Sequence, residues 1–405
     1  MWVKGLCILG VISAYGGSAS AMDAEVSGRG QQNQYSESKE SMKIPVESNE
    51  FKFMTYNVLN LFDNQHDIGK KDWTFLALDY PGKSIKCQEL ASDFYRKECL
   101  STNWTDDKIR LKLNQIKQVV SLQGSLPELL ALQEVENENV VGQLRDVLGY
   151  SNMVMTNSPD ERGIDVALLY NQEVLEYVDH EEIDVSAILK QDYNLSVKTR
   201  NILRVHFRPK NRPSGRIIGV YVNHWPSQGK GSVFRYSVAK ILQKAIDNQT
   251  EKLGASQYFV IVTGDFNTLD PETPNAFHHV VTNPLWNNHL YDVKHLSDYA
   301  HNPMRFKMPP GTYWYSREGV FNRFDRFFVS KNLQSPESIQ VLPRSYRVVG
   351  TRSNSRLYQY RGRSADYYPL SQWVPKRYDF NTTSTEKAGY SDHYPVVVKF
   401  KIDPR

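Results

Sequence analysis

From Phe51 onward the chain alternates short apolar runs with polar breaks, and the runs carry two different periods. Seven runs rich in Val, Ile, Phe and Tyr are closed by Asn, Asp or Gly and read as strands: Phe51–Tyr56, Leu129–Gln133, Ile164–Tyr170, Ile217–Val222, Tyr258–Thr263, Arg323–Val329 and Pro395–Phe400. Two segments keep a helical period. In Asp106–Leu122 the apolar positions are Ile109, Leu113, Ile116 and Val120, behind a first turn that carries Asp106 and Asp107. In Ser232–Leu253 they are Val238, Ile241, Leu242, Ala245 and Ile246, with Gly254 as the stop. Strands and helices mixed at this density predict sheets covered by helices. With no internal repeat and no second linker, residues 50–405 read as one domain.

The first 49 residues break this pattern. Met1–Lys4 is a short basic start, Leu6–Tyr15 an apolar run, and Ala19-Ser20-Ala21 a small-residue cleavage site, which is the layout of a secretory signal peptide over 1–21. The alternative is a buried N-terminal helix. Residues 22–49 are Ser-, Glu-, Gln-, Asn- and Gly-rich with almost no apolar side chains, so they read as a disordered linker. Export implies a secreted or periplasmic protein and an oxidising compartment. Cleavage after Ala21 would leave Cys87 and Cys99, either as a local disulfide or as two free thiols. No CxxC or paired-His spacing accompanies them, so zinc is not implied. The 49 basic and 45 acidic residues nearly balance, which permits a polyanionic substrate without arguing for one.

Candidate chemistry gathers at the strand ends. Phe51–Tyr56 runs into Asn57, Leu129–Gln133 into Glu134, Ile217–Val222 into Asn223-His224, and Tyr258–Thr263 into Gly264-Asp265-Phe266-Asn267. Convergent tips of rigid strands would make one polar cluster at a sheet edge. Each Asn or Asp alone is an ordinary strand terminator, but Glu134 and His224 are not. Together with Ser391-Asp392-His393-Tyr394-Pro395, these motifs resemble, in type and in order, the series of the endonuclease/exonuclease/phosphatase superfamily over roughly Phe51 to Ile402.

That resemblance implies a four-layer α/β sandwich, DNase I-like, with two packed mixed sheets between helices. It implies that Glu134 binds a catalytic Mg²⁺ (Mn²⁺ or Ca²⁺ being the alternatives), with Asn57 as a further ligand or orienting group and Asp392 either near the ion or orienting its neighbour. Asp265 and Asn267 would position the attacking water and the scissile phosphate. His393 would meet a phosphate oxygen, and Asp325, in Asn322-Arg323-Phe324-Asp325-Arg326, would fix its tautomer. The plainer reading pairs Asp325 with Arg323 or Arg326. Gly311-Thr312-Tyr313-Trp314 belongs to the same resemblance. His224, within Asn223-His224-Trp225-Pro226-Ser227-Gln228 and followed by Arg235, looks like the extracellular bacterial nuclease branch, where the histidine is a general acid/base or phosphate contact. Trp225 and Arg235 join Arg162 and Asp165 as the substrate-binding candidates. Asp165 is either the carboxylate partner of His224 or a structural residue entering a strand, and Arg162 either a phosphate contact or an ordinary surface charge.

The resemblance leaves the phosphoester open. Arg344 to Arg377 interleaves Arg347, Arg352, Arg356, Arg361, Arg363 and Lys376 with Tyr346, Tyr358, Tyr360, Tyr367, Tyr368 and Trp373. It either grips a nucleic-acid strand by charge and stacking or forms a solvated loop with its own aromatic cluster. The expected substrate is nucleic acid, DNA ahead of RNA. The alternative is a phosphatase or a sphingomyelinase-like lipid phosphodiesterase, for which the sequence offers no evident apolar hairpin. A non-catalytic binding protein would be expected to lack Glu134, Asp265 or His393, and all three are present. No D-x-[DN]-x-[DN]-G calcium loop occurs.

Overall fold

The structure, a computed structural model, describes residues 49–210, 215–296, 301–303, 305–335, 339–360 and 371–403. The signal-peptide and linker readings lie outside the described residues. In chain order the elements are β1 (Glu50–Leu61), α1 (Lys83–Gln88), α2 (Asp93–Ser101), α3 (Asp106–Val120), β2 (Leu129–Val135), α4 (Glu138–Leu148), β3 (Asn152–Met155) and β4 (Asp165–Tyr170). Then follow β5 (Leu175–Ile183), α5 (Val185–Tyr193), β6 (Ile202–Pro209), β7 (Ile217–His224), α6 (Ser232–Leu253), β8 (Tyr258–Asp265) and β9 (Tyr291–Asp292). Short strands complete the chain: β10 (Tyr313–Tyr315), β11 (Val320–Asn322), β12 (Asp325–Val329), β13 (Ile339–Val341), β14 (Arg347–Val348), β15 (Ser355–Gln359), β16 (Ser371–Pro375) and β17 (Val396–Ile402).

Two mixed sheets form. The first runs β13-β17-β1-β2-β4-β3, with β14 also on β17, and the second runs β5-β6-β7-β8-β12-β9. Each has one parallel pair at its centre, β1 with β2 and β7 with β8. Parallel neighbours need a long crossover, which α1–α3 supply in the first sheet and α6 in the second. The sheets pack face to face, as expected from the sequence, giving a four-layer α/β sandwich.

Three apolar clusters fill the three gaps between layers. Met54, Tyr56, Leu130 and Leu132 pack against Ile109, Leu113 and Ile116 of α3 and Val140 and Leu144 of α4. Phe51, Phe53, Leu129, Ala131, Ile218, Val220, Phe259, Ile261 and Phe327 meet between the sheets. Tyr258, Val260 and Val262 pack on Val238, Ile241, Leu242 and Ile246 of α6. Both faces of the central strands are therefore covered, so their apolar runs are nearly continuous. Every residue of β7 and β8 is buried.

The sequence reading falls short of the described residues in the edge elements. β5 is an edge strand whose sequence, LEYVDHEEI, is mostly exposed and charged, so it lacks the apolar signature. The helices α4 and α5 were also not expected; α4 is capped by Asn137, whose side chain accepts from Val140 N, and stops at left-handed Gly149. Cys87 and Cys99 form a disulfide joining α1 to α2. Among the described residues no helix is long and apolar enough to cross a membrane.

Candidate functional site

The site follows from strand phase. Along β1 the positions facing the opposite sheet are Phe51, Phe53, Thr55 and then Asn57. Along β7 they are Ile218, Val220, Val222 and then His224. Along β8 they are Phe259, Ile261, Thr263 and then Asp265; on antiparallel β12 the same face runs Val329, Phe327, Asp325. Each stripe is apolar through the body of its strand and turns polar one period beyond. Register aligns the tips, since His224 pairs with Asp265 and Asp265 with Asp325. The result is a polar edge to the inter-sheet core.

Glu134 should point the wrong way, in phase with Leu130 and Leu132, which face α3. A bulge corrects it. The β1–β2 register shifts between Asn57 and Leu61, and the β2–β4 register between Gln133 and Val135. Glu134 (φ 63°), Leu59 (58°) and Asn60 (56°) all take left-handed backbone there. Asn60 N donates to Glu134 Oε2 at 3.1 Å, pinning the re-aimed carboxylate. Such strain in non-glycine residues costs of order 1–3 kcal/mol each and persists where the surroundings over-determine it. Gly264 needs its hydrogen: at φ 132°, an added Cβ would lie 1.9 Å from Asn223 O.

Asn57 joins the two sheets. Its Nδ2 donates to Asp265 Oδ2 at 3.0 Å and to Glu134 Oε1 at 3.3 Å, while its Oδ1 accepts from Leu59 N. The amide oxygen therefore faces its own bulge, and of the two roles expected for Asn57 the geometry favours the orienting one. Asn267 (φ 48°) is also a framework residue. Its backbone N donates to Asp265 Oδ1 at 2.9 Å, and its Nδ2 donates to Trp225 O at 3.1 Å.

On the far side, Asp325 Oδ2 accepts from His393 Nδ1 at 2.7 Å, leaving Nε2 directed toward Asp265, 3.9 Å from Oδ2. Asp325 makes no ion pair with Arg323 or Arg326, which instead hold Asp292. Burial opposes a charge on His393, but Asp325, then Asp265 and Asp392, outweigh it and raise the imidazole to about 10. His224 is the opposite case. Burial, then the positive Arg200, Arg162 and His393, push it well below its ordinary value. Its Nε2 lies 3.6 Å from Asp265 Oδ2 and 4.0 Å from Glu134 Oε1, and its buried Nδ1 has no hydrogen-bond partner. Burial raises both Asp265 and Asp392 above the usual carboxylate range.

The loop carrying Asp392 and His393 is clamped at several points. Ser391 Oγ donates to Asn57 O at 2.7 Å and accepts from His393 N. Behind it, α3 reaches carbonyls of the same segment: Lys108 that of Phe380, Lys112 that of Tyr390, and Gln115 that of Gly389. Lys112 is fully buried, and burial lowers its ammonium to about 7 against the pull of Asp392 and Glu134.

Carboxylates that stay partly open are the natural place for a hard cation that keeps some of its water. Glu134 has 17% of its side chain exposed, against 2% for Asp265, and Asp392 is likewise half-buried. Asp265, Asp325 and His393 also bring one ligand-type atom each within 4.8 Å of one another. The hydrogen bond between Asp325 Oδ2 and His393 Nδ1 uses one polar atom of each, and the buried Asp325 Oδ1 has no hydrogen-bond partner.

Three expected substrate contacts lie elsewhere. Trp225 is buried, with its ring against Phe266 and its Nε1 donating to Asn223 Oδ1 at 2.9 Å. Arg235 is 2% exposed, and its guanidinium binds Glu272 and the carbonyls of Pro226, Ser227 and Lys230. It therefore braces the loop after His224 from within. Asp165 is in phase with Ala167 and Leu169, away from the inter-sheet face. Its carboxylate is taken by Thr156 and Ser158, so it is not the partner of His224. Arg162 does remain outward, with 54% of its side chain exposed beside Asp160.

Sequence reasoning missed Arg200, which is buried, donates to Trp225 O at 2.5 Å and adds positive charge opposite Glu134 and Asp265. A lone Arg ahead of an unrecognised strand gave no signal. It also grouped Arg377 only with its insertion; Arg377 is exposed, and its charge acts on Asp392 and Tyr313. In the described part of that insertion the aromatics are already engaged. Tyr346 lies in the inter-sheet core, while Tyr358 and Tyr360 pack on Trp314. Arg361, Arg363, Tyr367 and Tyr368 lie outside the described residues.

The sequence profile described as "Endonuclease/Exonuclease/phosphatase family" matches residues 89–402. No curated protein sequence matches the chain. Among solved structures, a mannosyl-6-phosphatase of Bacteroides thetaiotaomicron is 16% identical with a TM-score of 0.50, covering 86% of this chain and 99% of its own. The human Nocturnin catalytic domain with bound sulfate is 18% identical with a TM-score of 0.49, covering 89% and 97%. TDP2 of D. rerio, complexed with a single-strand DNA product, is 14% identical with a TM-score of 0.48, covering 87% and 99%.

Proposed function

Since the chain belongs to the Endonuclease/Exonuclease/phosphatase family, we propose that it is a secreted, divalent-metal-dependent phosphodiesterase that hydrolyses nucleic acid, DNA ahead of RNA. The observation that carries this reading is the continuous chain Glu134–Asn57–Asp265–His393–Asp325 across the edge of both sheets. Hydrolysis of a phosphodiester needs an acceptor for the proton of the attacking water, positive charge at the non-bridging oxygens and help for the leaving oxygen.

Asp265, raised by burial, is the proton acceptor, held in place by the side chain of Asn57 and the backbone of Asn267. His393 is cationic at neutral pH and donates from Nε2 to a phosphate oxygen, its ring oriented by Asp325. His224 is neutral and offers Nε2 from the opposite side of Asp265. Glu134 and Asp392 would hold the ion, Mg²⁺ in this reading, which supplies charge neutralisation on the phosphate. Asn57 and Asn60 keep the Glu134 carboxylate in position for it.

Two exposed cations support a substrate longer than a monoester. Arg162 acts on the His224 side and Arg377 on the Asp392 side, so phosphates flanking the scissile one would each meet positive charge. The Cys87–Cys99 disulfide supports export, because such bonds persist in oxidising compartments. A second reading, a lipid phosphodiesterase, draws on one observation. The disulfide-linked region exposes Ile85, Phe94 and Tyr95 by 68%, 62% and 60%.

The test is hydrolysis by the mature chain of plasmid DNA, RNA, sphingomyelin vesicles and p-nitrophenyl phosphate, each with Mg²⁺ or with EDTA. Chelator-sensitive nicking of plasmid well above turnover of the others is expected. Cleavage of the vesicles or the monoester with intact plasmid would replace this reading by the corresponding alternative.

A further inference from the structure

A second group of carboxylates lies just past the ends of β1 and β2, and the proposed reaction does not use it. Asp63, Asp72 and Glu136 are 3%, 2% and 3% exposed, and Asp67 is half-buried beside them. The group is tied together by its own chain. Asp63 N donates to Glu136 Oε2 at 2.8 Å, and Asp67 N donates to Asp72 Oδ2 at 2.7 Å. Asn137 Nδ2 donates to Asp63 Oδ2 at 3.1 Å and to Asp67 Oδ2 at 3.3 Å, while Asn139 Nδ2 donates to Asp63 Oδ2 at 2.8 Å.

Positive charge is scarce there. Among the described residues the group's one ion pair is His66 with Asp72, at 2.5 Å. The nearby Lys70 is directed to the carbonyls of Ser158 and Asp160. A second, independent feature is Glu136 Oε1, a buried carboxylate oxygen with no hydrogen-bond partner. Leaving such an oxygen ionised inside a group of three further carboxylates is costly unless a cation meets it.

We infer that the Asp63–Asp72 loop and Glu136 form a second divalent-cation site, selective for Ca²⁺ and separate from the catalytic cluster. No hydrogen bond or ion pair joins the two groups, and Leu61 and Val135 are buried between their attachment points. The donors are all oxygen, and they sit on a loop. Among the described residues no three of the group's ligand atoms lie within 4.8 Å of one another. Ca²⁺ accepts six to eight oxygens at roughly 2.3–2.6 Å in flexible geometry and can draw such a loop around itself, with carbonyls and water completing the shell. Mg²⁺, which demands near-ideal octahedral geometry at about 2.0–2.1 Å, suits it less well. A cation here would fasten residues 62–72 to the end of β2, two residues beyond the Glu134 bulge.

The test uses the full mature chain, as wild type and as Glu134→Ala, in buffer already saturated with Mg²⁺. Calorimetric titration with Ca²⁺ should show one ion bound per chain in both proteins, and thermal unfolding should shift upward by about 5 °C at saturating Ca²⁺. Asp63→Asn and Glu136→Gln should each lose most of both signals. Should either fail to fold, Asp67→Asn, at the half-buried rim, provides the same reading. Absence of Ca²⁺ binding in the wild type, or undiminished binding in these variants, would overturn the site without touching the catalytic assignment.

Discussion

The two histidines of the cluster flank the same carboxylate and sit in opposite electrostatic surroundings. His393 Nδ1 meets Asp325 at 2.7 Å, and three carboxylates raise the ring to about 10. His224 finds two arginines and a cationic imidazole nearby, no acceptor for Nδ1, and a strongly lowered pKa. Both are buried, so burial alone does not separate them. What separates them is which neighbours each strand register brings alongside. Asp325 sits one strand from Asp265, whereas Asp165, read from the sequence as either the partner of His224 or a structural residue, is out of phase and engaged elsewhere. One histidine is thus built to stay charged, and the other to remain neutral.

The largest expected effects come from deleting each ring. His393→Ala should lower kcat by about 10³–10⁴, the scale of losing a positioned proton donor together with its charge. His224→Ala should cost roughly 10–10² on the same substrate. Steady-state kinetics on plasmid or a diester reporter checks both, and equal losses would erase the asymmetry.

Asp325→Asn sharpens the comparison, with a fall of about 10² in kcat and a signature in pH. A folded-state pKa raised above its ordinary value contributes stability that is full below about pH 6.5 and is lost as pH rises through about 10. The stability gap between wild type and Asp325→Asn should therefore be widest near pH 6 and close toward pH 10. Thermal unfolding across that range is the measurement; a flat gap would mean that His393 is not held cationic.

The smallest catalytic effects should come from the arginines, which differ as the histidines do. Arg162→Ala should raise KM several-fold on DNA with little change in melting, because its side chain is exposed. Arg235→Ala should leave Glu272 buried without its cation, costing about 3–5 kcal/mol of stability. Melting curves beside KM values distinguish a substrate contact from an internal brace.

The central strands were legible because both of their faces are covered, so that apolar runs such as Phe259–Val262 announce themselves and end at a polar tip. All seven expected strands and both helices are present, and Ser232–Leu253 keeps its bounds. The phase rule that carries Asn57, His224, Asp265 and Asp325 to one edge can be read from the chain. Glu134 breaks that rule, because its orientation depends on a bulge that no period predicts. Trp225 and Arg235 follow His224 so closely that proximity suggested contact, but only the packing of Phe266 and the position of Glu272 reveal that they face inward. The Asp63–Asp72 loop has no linear calcium motif, since its fourth carboxylate, Glu136, follows the end of β2, 73 residues from Asp63.

The Mg²⁺ dependence of diester hydrolysis by wild type and Glu134→Ala tests the central claim most directly. The account predicts activity in the wild type that EDTA abolishes, and a variant that needs at least about tenfold more Mg²⁺ for any residual rate. Identical Mg²⁺ curves for the two proteins, or wild-type hydrolysis that survives the chelator, would contradict it.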